Sequence, residues 1–254
     1  MDYLLQQADE NQQKLNKLRP LTGNKLKNVK GYYRVSLTYT SNAIEGNTLT
    51  ESETKVILEE GLTVGGHPLR EVYEVIGHAS AYDFMWEMAK ADTLNENDIK
   101  KLHELFYIQI NDSLAGKYRG EDVVITGSKH PVAAWKDILA EMGGIAAWMK
   151  NERSQYHPIV FAAELHRRFI YIHPFIDGNG RIARLLLNLA LLQKGYEIVT
   201  IPPICRSYYV HALEVGHGNP KVFHDFIIDR EVEAQKNMMR LFHIPIKSEP
   251  GSER

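Results

Sequence analysis

His173-Pro174-Phe175-Ile176-Asp177-Gly178-Asn179-Gly180-Arg181 lies between two apolar runs, Phe169-Ile170-Tyr171-Ile172 before it and Ile182 to Leu192 after it. The nonapeptide holds an imidazole, a carboxylate four residues on, a Gly-Asn-Gly turn and a cation where the second run begins as a helix. Gly178 and Gly180 admit the positive φ values that turn successive backbone amides toward one point. Those amides run into the first turn of the following helix, whose orphan N–H groups and dipole favour an anion. Arg181 and Arg184 are three apart and share a helix face. Two guanidiniums beside an amide nest suit a chain of phosphates better than a single carboxylate. Asp177 offers a hard oxygen to Mg²⁺, which takes one or two carboxylates plus substrate phosphates. His173, with an unperturbed pKa near ~6.5, suits a general base at neutral pH. The stretch thus specifies in-line attack by a hydroxyl on a metal-bound phosphate. A lone histidine before a proline is more often structural, and this chain has 11 histidines. The joint pattern carries the argument, not any one residue.

Outward from this loop the pattern is helical nearly everywhere. Residues 2–18 form a polar amphipathic stretch closed by Arg19-Pro20, since proline disfavours helix at the residue before it. Such a segment suits a docking or dimerisation helix without chemistry. Asn24 to Ile44 repeats apolar residues every three to four positions and stops at Glu45-Gly46-Asn47. Thr50 with Glu53 makes a capping box for the next helix. Leu69 to Ala89 predicts a long helix, and Asn95 or Thr93 caps another through Tyr107. Further helices are expected over Ala133–Met149, Ile159–Ile172, Arg181–Lys194, Tyr208–Val215 and Pro220–Leu241. The exception is Lys117 to Pro131, where Tyr118, Val123, Val124 and Ile125 are β-prone and Gly120 and Gly127 punctuate them; this predicts a short hairpin. The class is mostly α, a helical bundle with one small β-hairpin. Residues 1–60 form an N-terminal helical region, 61–241 a core, and 242–254 a tail expected to be disordered.

The 254 residues can bury a substantial core, and 44% apolar and 24% charged residues are ordinary for a soluble globular chain. A formal net charge of −2 favours neither nucleic acid nor a membrane surface. The single cysteine, Cys205, excludes an intramolecular disulfide framework and suits a reducing compartment. No apolar run approaches the ~20 residues that span a bilayer, and Met1 to Gln6 has no basic leader. A cytoplasmic protein without membrane contact is expected.

His173 to Arg184 resembles the full signature of the Fic family, His-x-Phe-x-Asp/Glu-Gly-Asn-Gly-Arg-x-x-Arg, with every fixed position matched. The resemblance implies a helical bundle around the motif and transfer of AMP from ATP to a protein hydroxyl. By the same resemblance His173 deprotonates the target Ser, Thr or Tyr. Asp177 holds Mg²⁺, Gly178, Asn179 and Gly180 bind the α- and β-phosphates, Arg181 binds phosphate and Arg184 holds the γ-phosphate. Doc-type kinases have Lys where this chain has Gly180, which argues for nucleotidyl transfer here. Gly116-Lys117-Tyr118-Arg119 leading into Val123-Val124-Ile125-Thr126-Gly127 resembles the family's flap, a hairpin that pins a target backbone by strand addition.

Ser41-Asn42-Ala43-Ile44-Glu45-Gly46 resembles the family's inhibitory motif. Glu45 would then pair with Arg184 in the place of the γ-phosphate, with Ser41 in the same motif, all within one chain. Tyr208-Tyr209-Val210-His211-Ala212-Leu213 resembles the stretch that packs on adenine; either tyrosine could stack, or both could be core. The resemblance spans about residues 36–230. Some relatives add a winged DNA-binding module after this core, and the chain leaves no room for one before Arg254, so no nucleic-acid partner is expected. Three activities remain open: an auto-inhibited Mg²⁺-dependent adenylyltransferase, a hydrolase that removes AMP with Glu45 orienting water, and a non-catalytic ATP sensor. Other nucleotide donors, a protein target that could be the chain itself, and a homodimer also remain open.

Overall fold

The computed structural model describes residues 2–91 and 93–246. Ten helices follow in order: α1 (Asp2–Asn16), α2 (Gly23–Ile44), α3 (Glu51–Glu60), α4 (Leu69–Met88), α5 (Glu96–Tyr107), α6 (Ile138–Glu152), α7 (Pro158–Ile172), α8 (Asn179–Leu192), α9 (Arg206–Gly216) and α10 (Pro220–Leu241). The bundle is built around α8. Twelve of its 14 residues are buried, so it is apolar nearly all round, as a helix enclosed by others must be. It packs on α7, α4, α5 and α2. Leu185, Leu186, Leu187 and Leu189 are fully buried in its interior half. Asn188 is the polar exception, and its amide exchanges two hydrogen bonds with the backbone of Val199, 2.8 and 3.0 Å, as the chain runs back along α8.

Local chemistry sets the ends of the helices. Thr50 and Asn95 each make a complete capping box, with Glu53 and Asp98 as the reciprocal partners. α7 begins with Pro158 at its first position, where a missing N–H costs nothing. It ends at His173, a non-glycine residue in the left-handed region with φ 54°. α8 starts at Asn179, two residues before the expected Arg181, because Gly178 (φ 81°) already reverses the chain. α1 docks on α10, where Gln235 donates to the carbonyl of Ala8 and to Gln12, so the N-terminal helix is covered within the same chain. Phe242, Ile244 and Ile246 pack against the core. The remainder of the expected tail, 247–254, lies outside the described residues.

The expected β-hairpin is not formed: the described residues contain no strand. Val123 and Ile125 are half-buried while Val124 is 94% exposed, the alternation of an extended chain. No second segment faces it to form a ladder, and β-propensity expresses itself only against a paired neighbour. The loop closes instead on one turn, Ser128 N–H to the Ile125 carbonyl at 3.1 Å, with Gly127 at φ 88°. Its returning limb is captured by α7, where Ala133 N–H reaches the Tyr171 carbonyl at 3.3 Å. That contact delays α6 until Ile138, beyond the expected Ala133. No described helix is long and apolar enough to cross a membrane.

Candidate active site

The loop between α7 and α8 is closed by one side chain. Asn179 accepts from Phe175 N–H at 2.9 Å through Oδ1 and donates to the Phe175 carbonyl at 2.8 Å through Nδ2. The Phe175 ring is fully buried and stacks on His103 of α5, with centroids 3.8 Å apart and planes 4° apart. His103 Nδ1 accepts from Gly116 N–H at 2.9 Å, so its proton sits on Nε2, which donates to the Asp177 carbonyl at 3.1 Å. Burial holds this imidazole neutral, with a pKa of about 4. Gly178 lies so close to α5 that an added Cβ would stand 2.8 Å from the Phe106 ring. The loop is therefore rigid. It aims the first-turn N–H groups of α8 at one spot, and a first turn has no intrahelical acceptors for them.

Both arginines of α8 are buried and paired with carboxylates, though Arg181 Nε has no hydrogen-bond partner among the described residues. Arg181 is 3% exposed. It contacts Glu74 of α4 at 3.2 Å and Asp177 at 3.1 Å, and its guanidinium lies over the Phe106 ring at 4.6 Å. Arg184 is 2% exposed. It donates from Nε to Ser41 Oγ at 2.9 Å, and from Nη2 to the Ser41 carbonyl at 2.7 Å and Glu45 Oε1 at 2.8 Å. Burial opposes its charge, but Glu45 and then the Tyr209 hydroxyl hold the guanidinium protonated, with its pKa raised. The neighbouring histidines answer in the opposite sense. His78 and His166 are fully enclosed, and burial followed by the Arg184 charge keeps both neutral, His78 at about 3.

Glu45 is the C-terminal cap of α2. Its carboxylate stands at the first turn of α8, so close that a Cβ added to Gly180 would lie 2.1 Å from Oε1. Desolvation raises its pKa, but Arg184 and then Arg181 outweigh this and hold it low. Its side chain keeps 34% exposure, and Oε2 has no hydrogen-bond partner among the described residues. Arg206 of α9 donates to the Ile44 carbonyl at 2.7 Å and ties down the end of the helix that carries Glu45. Asn47, two residues on, donates to Glu74 Oε2 at 3.0 Å. Glu74 thus touches both the chain beside Glu45 and Arg181.

His173 faces the same space from the other side. Burial lowers its pKa, opposed by the nearby Ile170 carbonyl. Among the described residues Nδ1 makes no hydrogen bond of good geometry. Its own carbonyl accepts from Arg119 Nε at 2.9 Å. The segment predicted as a flap, Val123 to Thr126, runs over the surface beside it. Among the described residues, the N–H groups of Val123, Val124 and Ile125 have no partner.

With this geometry in place, the comparisons carry weight. A model of the Fic/DOC family matches residues 93–191. The chain belongs to the Fic/DOC family. It is 36% identical over 193 residues to "Protein adenylyltransferase Fic" of Nematostella vectensis, which covers 74% of this chain and 45% of that one. The like-named protein of Drosophila melanogaster is 34% identical over 194 residues, 75% of this chain and 39% of that one. This chain therefore spans less than half the length of these curated relatives. Fic-1 of C. elegans superposes with a TM-score of 0.86 at 27% identity, covering 94% of this chain and 72% of that one. A Fic domain containing signaling protein of Bacteroides thetaiotaomicron gives 0.84 at 27% identity over 95% of this chain and all of that one.

Within this Fic fold the two tyrosines separate. Tyr209 is 3% exposed, and its hydroxyl lies 2.9 Å from His166 Nε2 and 3.4 Å from Arg184 Nη1, so it supports the arginine. Tyr208 is 57% exposed and sets its edge against Phe226; it is the one of the pair with an open face. Asp177 accepts from Gly178 N–H at 2.6 Å and from Arg70 at 2.5 Å. Its side chain keeps 36% exposure. A single half-exposed carboxylate beside an anion-binding turn fits Mg²⁺, which fills its other positions with phosphate and water. The described residues contain no group of three or more His, Cys, Asp and Glu side chains arranged to hold a metal unaided. Sequence reasoning missed Glu74, Arg70, His103 and Arg206. They lie 74 to 162 positions from their partners Asp177, Arg181 and Ile44 and meet them only through tertiary folding, and none sits in a local pattern that marks it. Arg119 stood inside a quoted motif, but its reach to His173 was not legible.

Proposed function

We propose that this chain is an auto-inhibited, Mg²⁺-dependent protein adenylyltransferase that moves AMP from ATP to a Ser, Thr or Tyr hydroxyl. The observation that carries the reading is the position of Glu45: a carboxylate paired with buried Arg184 at the first turn of α8. That turn and that arginine form an anion site, and Glu45 occupies it as a terminal phosphate would. ATP binds when Glu45 withdraws, its γ-phosphate on Arg184 and its other phosphates on the amides of Asn179, Gly180 and Arg181. Arg181 is held toward them by Glu74. Asp177 would hold Mg²⁺, which when bound offsets the charge of the phosphates. The target backbone lies along Val123 to Thr126, whose open N–H groups accept it by strand addition. His173 takes the proton of the target hydroxyl. The hydroxyl oxygen bonds to the α-phosphorus, the bond from that phosphorus to the bridging oxygen breaks, and pyrophosphate leaves. Tyr208 offers its open face to the base.

Labelled ATP tests this with the parent chain, Glu45→Gly, and Glu45→Gly with His173→Ala. Weak labelling, strong self-labelling and none are expected in that order. Absence of labelling by Glu45→Gly, with protein substrates also supplied, sinks the release mechanism. One observation favours hydrolysis as a second reading: Glu45 Oε2 is free among the described residues, and the carboxylate is held ionised, so it can orient a water. In that case Glu45→Gly abolishes removal of AMP from a pre-modified protein instead of increasing labelling.

A further inference from the structure

Arg119 is a buried cation whose one carboxylate neighbour among the described residues is the exposed Asp122. It is 5% exposed, and Asp122, 3.7 Å away, is itself mostly in solvent. Burial accordingly lowers its pKa. Its guanidinium is satisfied by backbone carbonyls from three separate segments: His173 at 2.9 Å, Glu121 at 2.7 Å, Ile172 at 3.4 Å and Ala133 in a short contact. Its own N–H donates to the Pro174 carbonyl at 2.9 Å. The residue therefore joins the start of the surface loop, the return of that loop, and the last turn of α7. The last turn of α7 is the strained one, since His173 adopts φ 54°, a conformation costly for a residue with a Cβ. Something must hold that backbone, and Arg119 takes its carbonyl directly.

We propose that Arg119 is the positioning residue of the site: one planar fork fixes the backbone of His173 and anchors both limbs of the 117–133 loop, so that base and docking loop keep a common register. This rests on the reading of His173 as the base. Arginine is required because a single guanidinium presents five donors in a fixed plane. Lysine keeps the charge but loses the fork. Among the described residues Arg119 has no hydrogen bond or ion pair to α8, so nucleotide affinity is expected to survive its replacement. The charges that face His173 are Arg119, Glu45 and Asp177, and among them Arg119 alone favours the neutral ring.

The test uses three full-length chains: Glu45→Gly alone, with Arg119→Lys, and with Arg119→Met. Three quantities are measured: affinity for a fluorescent ATP analogue, self-labelling rate against pH, and the imidazole proton signals of His173, assigned by their loss in His173→Ala. Labelling by the Met variant is expected to fall about a hundredfold, the scale of a 1 Å misplacement. The Lys variant recovers part of the rate, and ATP-analogue affinity stays within about twofold in both. Loss of the Arg119 charge moves the His173 titration and the rising limb of the rate profile to higher pH in the Met variant and not in the Lys variant. A parallel loss of rate and nucleotide affinity marks Arg119 as merely structural and overturns the proposal, as does an unchanged His173 titration. If Glu45→Gly itself labels nothing, the transfer reading fails on its own, and the His173 titration still decides Arg119.

Discussion

The two ends of α8 bury ionisable groups of opposite kind. At its N-terminus stand Arg181 and Arg184, both nearly inaccessible. Where the chain turns back at its other end, Glu197 meets Glu231 of α10; both are buried, and Glu231 Oε1 accepts from Glu197 N–H at 3.0 Å. Burial raises the pKa of both carboxyls, Arg19 opposing it at Glu197. Among the described residues Glu231 Oε2 has no hydrogen-bond partner. A buried carboxyl can accept a proton and discard its charge. A buried guanidinium cannot, so it must keep its donors on acceptors, and at Arg184 one of these is the Glu45 carboxylate. On the proposed function, the arginine end exchanges one anion for another, Glu45 for phosphate. The carboxyl end needs no ligand and is part of the scaffold.

Substitutions at either end of α8 test this difference. The largest effect is expected from His173→Ala in the Glu45→Gly background, where loss of a positioned base lowers the labelling rate by about 10²–10⁴-fold; labelling that persists would remove His173 from the chemistry. Next, Glu45→Gly should tighten ATP binding about ten- to hundredfold, because a hydrogen bond to a charged group contributes about 1.5–3 kcal/mol and each ~1.4 kcal/mol is tenfold. Titration calorimetry checks this, and an unchanged affinity would mean that Glu45 and phosphate do not compete. The pH profile of labelling comes third. Burial depresses the His173 pKa, so the base is ready at neutral pH and activity falls only as pH drops through a midpoint below the ordinary ~6.5; a midpoint above that value contradicts the burial of the ring. The smallest effect belongs to the other end. Glu231 has a raised folded-state pKa, so its favourable contribution is complete below the unfolded value and is lost as pH rises. Glu231→Gln should therefore raise Tm at pH 7 by a few degrees, about 2–4 °C per kcal/mol for a chain of this size, with a smaller gain at pH 5. Glu45→Gln should show no such gain, since its partner arginine then loses a buried anion.

Legibility followed the range of the interactions. The helices were readable because their periodicity and caps are local: Thr50 with Glu53 caps as its spacing implies, and of the two expected caps, Asn95 and Thr93, it is Asn95 that stands at the start of α5. The hairpin failed because β-prone residues do not say whether a partner strand exists. Tyr209 was open between core and base stacking, and only burial beside His166 and Arg184 placed it. Glu74 and Arg206 left no trace in the sequence, since an ordinary helical carboxylate or arginine gains its meaning from what is folded against it.

What the sequence determined alone is the chemistry of one loop. Gly178 frees the turn that starts α8, and Arg181 and Arg184 share a face, because backbone freedom and helical spacing are properties of neighbours in the chain. What only the tertiary structure decided is who occupies that place. Glu45 is 139 residues from Arg184, and Arg119 is 54 from His173. Their pairing depends on helices packing around α8, where buried charge must find a partner wherever in the chain it lies.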